Sequence, residues 1–306
     1  MSHLKNNVRS LFQKITLSKV LLYVSLLAIC IFLVNNRYVA VPAIHSYPLI
    51  GISVALLFGA FLIDSFGWKF ILNSAGLPIS YPLALRSSGL YIFTKYIPGK
   101  FWMIFGKASY LSDRLPATTK YLSTLSVLAQ MISLATGVLT GLIAPLLLDH
   151  DGWLLSAAAL VVVVAGILVW TGVLKKMIEF FFKKLKVEFE IPSIPLKAYV
   201  SLFLIYLSFW FCLCAGFYFM AQSVSPQSIG IATGFSFAFS CTIGIVALFA
   251  PGGIGVREGV LTGYLTLTGM PLELATQIAI ASRLWFMFGE LFIFLLALIT
   301  GRLNFK

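Results

Sequence analysis

Two short stretches of this chain set cations beside residues that break helices. The first reads Tyr91-Ile92-Phe93-Thr94-Lys95-Tyr96-Ile97-Pro98-Gly99-Lys100-Phe101-Trp102. Proline removes an amide donor and glycine opens unusual dihedrals, so a helix must stop at Pro98-Gly99. A short helix restarting at Lys100 and running to the region of Leu111 turns its unpaired first amides toward the break. Such an N-terminus favours an anion, and Lys95, Lys100 and Lys107 add positive charge. The second stretch reads Ala250-Pro251-Gly252-Gly253-Ile254-Gly255-Val256-Arg257-Glu258-Gly259. It is a loop, broken at Pro251 and Gly252, that opens a helix with Arg257 in its first turn. It again suits a phosphate or a carboxylate. A nucleotide-binding loop is a poor match, because no Gly-Lys-Ser/Thr follows. The candidate anion contacts are therefore Gly99 and Lys100 in the first stretch and Gly253 and Arg257 in the second. The competing reading is a helix-breaking turn that packs close to a neighbour.

Arg283 and Glu290 lie seven positions apart in an otherwise apolar run, on nearly one helix face. An unpaired charge at mid-membrane costs about 2.5–3.5 kcal/mol or more. Both are expected to face inward and find partners, with Arg257 and Glu258 as cross-partners. Glu258, Arg283 and Glu290 then form either a structural ion-pair network or the lining of a polar path. Arg86, with Ser87 and Ser88, serves the first half similarly or sits at the cytoplasmic interface. Asp64, just before Phe66, Gly67 and Trp68, reads as interfacial, and Gln130 as a central residue that hydrogen-bonds between helices. His45 and His150 fall in outer turns. Cys30, Cys212, Cys214 and Cys241 all lie in apolar runs and read as small buried hydrophobes, with no disulfide and no metal site.

Enzyme signatures fare poorly. There is no His-Glu-x-x-His pair and no Gly-x-Ser-x-Gly elbow. The outer acidic turn Asp149-His150-Asp151 is weak ground for a cation site or for a membrane-embedded transferase. The expectation is a protein that is not an enzyme and carries no cofactor and no metal.

The elements that must position these residues are membrane spans. The chain has 306 residues, 60% of them hydrophobic and 10% charged, where a soluble domain carries roughly 25% charged residues. The net charge of +12 would raise nucleic acid as a partner in a soluble protein. Here most of it sits between apolar runs and reads as orientation and contact with anionic lipid, so nucleic acid is set aside. A spanning helix needs about 20 mainly apolar residues. Residues 18–35, 48–68, 120–148, 153–174, 198–222, 228–250 and 273–300 qualify, while 82–113 and 251–270 resist a simple assignment. The first span follows a basic segment and shows no cleavage site, so it is read as uncleaved. Lys and Arg alternate between loops in the manner of a multi-pass protein of the inner or plasma membrane with both termini in the cytoplasm. That alternation works only if 82–113 and 251–270 are broken or re-entrant. The expected fold is all-α, a polytopic bundle forming one integral membrane domain over 1–306. Halves 1–174 and 198–306 are joined by a basic cytoplasmic loop, 175–197. One interrupted stretch in each half suggests an internal structural duplication.

At these stretches the sequence resembles the lysylphosphatidylglycerol synthase transmembrane region, a flippase-like domain family. The likeness rests on Tyr96-Ile97-Pro98-Gly99-Lys100 with Trp102, and on Pro251 through Gly259. It covers essentially the whole chain. It implies an integral bundle with two re-entrant segments and a role in moving lipids between leaflets. Well-known members carry a C-terminal domain that adds lysine to phosphatidylglycerol. This sequence stops at Lys306, after its last span, so that synthase activity is not carried over. Stand-alone members often accompany cell-envelope polysaccharide pathways, which makes a polyprenyl-linked lipid a candidate cargo and envelope glycosyltransferases candidate partners.

The leading expectation is a flippase-like protein that binds or translocates an anionic phospholipid or polyprenyl-linked lipid. Lys100 and Arg257 would contact the headgroup phosphate, helped by amides after Gly99 and Gly253. A small-solute or ion transporter, and a scaffold of a glycan pathway that moves nothing, remain open. Cargo, direction, energy source and oligomeric state are not specified by the residues.

Overall fold

The structure, a computed structural model, describes residues 43–96, 102–147, 194–246, 253 and 255–302. Among the described residues there are eight α-helices and no strand. They are α1 (Tyr47–Ser74), α2 (Tyr81–Gly89), α3 (Trp102–Ser112), α4 (Thr119–Leu146), α5 (Leu196–Val224), α6 (Ala232–Val246), α7 (Val256–Leu267) and α8 (Leu272–Arg302). A 3-10 turn, Ile92–Tyr96, lies between α2 and α3.

Among the described residues four helices, α1, α4, α5 and α8, are long and apolar enough to cross a membrane. They match the spans expected from 48–68, 120–148, 198–222 and 273–300. The expected span at 228–250 appears as α6 as far as Val246. Those at 18–35 and 153–174, and the joining loop up to residue 193, lie outside the described residues. The two difficult stretches are interrupted, as the orientation argument required. α2 and α3 have 9 and 11 residues and α7 has 12. At a rise of 1.5 Å per residue they are about 14–18 Å long, short of the roughly 30 Å hydrocarbon layer.

Local chemistry explains the ends. α1 stops where Gly76 adopts φ +78° and Leu77 N–H reaches back to Leu72 O at 2.9 Å. α7 stops in the same way, with Gly269 at φ +86° and Met270 N–H bonded to Leu265 O at 3.2 Å. Both are glycine-terminated ends that a side chain would strain. α4 begins at Thr118, whose hydroxyl accepts Tyr121 N–H at 3.1 Å.

Packing follows membrane rules, in which small residues let backbones approach and polar side chains bond across helices. α1 lies along α5, where Ser53 Oγ donates to Gly216 O at 2.6 Å. On α4, Ser133, Gly137 and Gly141 form a stripe four residues apart. Trp210 of α5 lies against Gly137 and donates its indole N–H to Ser133 O at 2.7 Å, and the backbone of α6 at Phe239 lies against Gly141. α8 is divided by face. Leu284, Phe288, Leu291, Leu295 and Leu298 are exposed at intervals of three or four, a lipid-facing stripe, while Ser282, Arg283, Glu290, Ile293 and Ala297 are buried. The charged face of α8 therefore points into the bundle.

Candidate functional site

Four of the expected site residues converge on one layer, in which Arg257, Arg283 and Glu290 are buried and Glu258 is half-buried. Glu290 has no solvent exposure. Its carboxylate pairs with Lys95 Nζ and accepts the Tyr96 hydroxyl at 2.8 Å. One turn pair earlier on α8, Arg283 reaches Glu258 Oε1 at 3.2 Å and lies over the Tyr96 ring at 5.5 Å. Its neighbour Ser282 accepts from Arg257 Nη2 at 3.1 Å. The Phe286 ring is shared, with Lys95 Nζ at 4.8 Å and the Arg257 guanidinium at 5.4 Å from its centroid. The seven-residue spacing of Arg283 and Glu290 thus sets two charges on one helix face, and Tyr96 touches both.

Arg257 is placed by the second interruption. Gly253 sits at φ +71° and is buried, its Cα against Gly244 of α6. A Cβ on Gly244 would in turn stand 3.2 Å from the Arg257 Cβ, so this glycine lets α7 approach α6 closely. Gly255, at φ +82°, caps α7. The first intrahelical bond is Gly259 N–H to Gly255 O at 2.9 Å, so the amides of Val256, Arg257 and Glu258 have no acceptor within the helix. Glu258 folds back on this end, accepting Gly255 N–H on Oε2 at 2.8 Å while Arg283 holds Oε1. The helix N-terminus is therefore already facing one carboxylate of its own.

Among the described residues of the layer, Lys95, Arg257 and Arg283 carry three positive charges against two on Glu258 and Glu290, leaving one in excess. Arg257 is 5% exposed. It forms no ion pair with a carboxylate among the described residues, and its Nε has no hydrogen-bond partner. Its remaining contact is with the face of Phe237, 4.9 Å from the centroid.

A second polar chamber is lined mostly by the first half and closed by residues of the second. Asp64, Ser65, Ser88, Lys107, Gln130, Ser133 and Tyr206 line a cavity of about 40 Å³, closed by Phe61, Ile92, Met103 and Ile293. Lys107 is buried, with Nζ over the Trp68 ring at 4.2 Å. Asp64 and Lys107 share the cavity without an ion pair.

The structure redraws one expected pairing. Glu290 takes Lys95 as its partner, not Arg257, so the pairing anticipated within the second half is half right: Glu258 does meet Arg283. Asp64, expected at the interface, lines this second chamber with residues of α3, α4 and α8. Gln130 lines that same chamber. Lys100, Gly99, Pro98, Pro251 and Gly252 lie outside the described residues. Sequence reading did not single out Lys95, Tyr96 and Ser282 as partners in the layer. The signal for the first two was a charged and a hydroxyl-bearing residue just before Pro98, at membrane depth. Among the described residues no cluster of His, Cys, Asp and Glu is arranged to hold a metal.

Long apolar helices, short interrupted ones and a buried ionic layer define a polytopic α-helical membrane protein. The chain belongs to the lysylphosphatidylglycerol synthase TM region family, which it matches over residues 16–296. Comparison with curated proteins gave no match.

Proposed function

We propose that the buried ionic layer receives the phosphate of an anionic lipid headgroup, and that the protein carries that lipid between leaflets as a flippase-like transporter. The observation that carries this reading is Arg257. It is a buried guanidinium with an unpartnered Nε and, among the described residues, no carboxylate partner, beside a helix N-terminus, in a layer whose described residues carry one positive charge to spare. An uncompensated cation at membrane depth is costly, and a monoanionic phosphodiester supplies the missing charge. Arg257 and the amides of the first turn of α7, entered past Gly253, would hold the phosphate. Gly99 and Lys100 would approach from the other break. Glu258, Arg283 and Glu290 would line the path and return to their mutual pairs when it empties. The headgroup would belong to an anionic phospholipid or a polyprenyl-linked lipid of the cell envelope, in the inner or plasma membrane, with both chain termini cytoplasmic. In this reading the protein binds and moves lipid and catalyses no bond-making, and envelope glycosyltransferases are natural partners.

The test is reconstitution in liposomes carrying headgroup-labelled phosphatidylglycerol. Wild type is expected to speed exchange between leaflets and Arg257→Ala to lose that gain. Equal exchange in protein-free, wild-type and variant vesicles removes the reading for that lipid. Normal envelope function of Arg257→Ala and Lys100→Ala in cells would instead favour the scaffold.

A further inference from the structure

The chamber around Asp64 and Lys107 is not used by the headgroup reading, yet it is not an inert packing defect. It gathers the Asp64 carboxylate and the Lys107 ammonium, which form no ion pair with each other, and the Ser88 hydroxyl, which is buried without a hydrogen-bond partner. Its volume of about 40 Å³ admits about three waters at roughly 10–15 Å³ each. Buried polar groups of this kind are satisfied by ordered water when no side chain reaches them.

The two charges are held apart by construction. Trp68 donates its indole N–H to Ser87 Oγ at 3.0 Å, which fixes the ring. The ring then takes Lys107 Nζ over its face at 4.2 Å and competes with Asp64 for the ammonium. Among the described residues, the other titratable or charged groups acting on Asp64 are Lys95 from the 3-10 turn, Tyr81 from α2 and Tyr206 from α5. α4 contributes only neutral Gln130 and Ser133. On α8, Glu290 is already taken by Lys95 and Tyr96. A metal cation entering here would meet the Lys107 charge, and an anion would meet Asp64. A proton needs no further room.

We propose that Asp64 is a proton-binding site and that Lys107 couples its occupancy to anion binding. A proton delivered by cavity water adds to an Asp64 oxygen, giving the neutral acid. No electron is transferred, and release to water reverses the step. With Asp64 neutral, Lys107 is an uncompensated buried cation. The chamber adjoins the ionic layer, because its wall residues Ile92 and Ile293 stand one turn from Lys95 and Glu290. Protonation thus makes the first half attractive to an anion, and an anion in place favours protonation. The coupling rests on the headgroup reading above; the proton site does not.

Infrared difference spectroscopy of the full chain in lipid nanodiscs, across an acid pH step, tests the site. A protonated-carboxyl band is expected in wild type, lost in Asp64→Asn and displaced in Asp64→Glu, which keeps the charge should the first variant not fold. No such band in wild type, or a band unchanged in the variants, overturns the proposal. Coupling is read separately, as proton uptake by a pH dye when phosphatidylglycerol replaces phosphatidylcholine in weakly buffered nanodiscs. Uptake in wild type, lost in Asp64→Asn and in Lys107→Gln, is expected. Leaflet exchange without proton uptake overturns the coupling and leaves the headgroup reading intact, while a carboxyl band without any exchange does the reverse.

Discussion

The Tyr96 hydroxyl donates to Glu290 Oε2 at 2.8 Å, across 194 positions of sequence. With Lys95 on the other carboxylate oxygen, it ties the turn before the first interruption to the middle of the last membrane helix. Arg283, one face-repeat earlier on that helix, ties the same region to the first turn of α7 through Glu258. The residues flanking the two interruptions are thus held together by α8, which acts as a common strut.

Removing one end of this tie is expected to cost more than removing both. Glu290→Gln leaves Lys95, whose side chain is 27% exposed, without its counter-ion, so the loss is expected to fall below the roughly 3–5 kcal/mol of a fully buried pair. The double variant Lys95→Met with Glu290→Leu is expected to recover a good part of that loss. Thermal unfolding of the single and double variants in detergent measures the coupling. Additive losses would show that the pair is not energetically linked.

Tyr96→Phe deletes one donor and no charge. A hydrogen bond to a charged group is worth about 1.5–3 kcal/mol, so this variant is expected to unfold between wild type and Glu290→Gln. The order of the three melting temperatures is the readout.

Glu258 competes for the donors that an anion would use at α7, accepting Gly255 N–H and pairing with Arg283. Glu258→Gln is therefore expected to raise association with phosphatidylglycerol by about two- to fivefold, the worth of roughly 0.3–1 kcal/mol for a charge at a helix N-terminus. Arg257→Lys, which keeps the charge but not the fork of donors, is expected to lower it. Lipid binding by native mass spectrometry or by competition in nanodiscs distinguishes the two directions.

Glycines in the bundle divide by what surrounds them. A Cβ at Gly141 would stand 2.7 Å from the backbone of Phe239, which no rotamer change relieves. Gly141→Ala is expected to cost about 1–3 kcal/mol by forcing α4 from α6. Gly59, with nothing within 4 Å, is expected to accept alanine with no loss. Unfolding midpoints of the two variants make the comparison.

Membrane insertion, the all-α class and the two interruptions were readable from local stretches. Partition into lipid is set by about 20 neighbouring residues at a time, and Pro and Gly act on the backbone where they stand. The α7 start was legible because Gly253 and Gly255 adopt positive φ in a run of glycines that no other residue tolerates well. The facing of Arg283 and Glu290 was legible from helical phase alone.

Partners across space were not. By helical phase alone Glu290 matches any inward cation; it takes Lys95 because the 3-10 turn after α2 swings that side chain onto α8, a matter of how separate segments stack. Asp64 looked interfacial because its place along α1 says how far it lies from the helix end, and not what packs beside it. Residues of α3, α4 and α8 line a chamber with it, and only their packing creates that chamber, which it shares with Lys107. Which segments enter the membrane and where their helices stop is a local property of the chain, whereas which buried charges meet depends on interhelical geometry that no stretch of sequence contains.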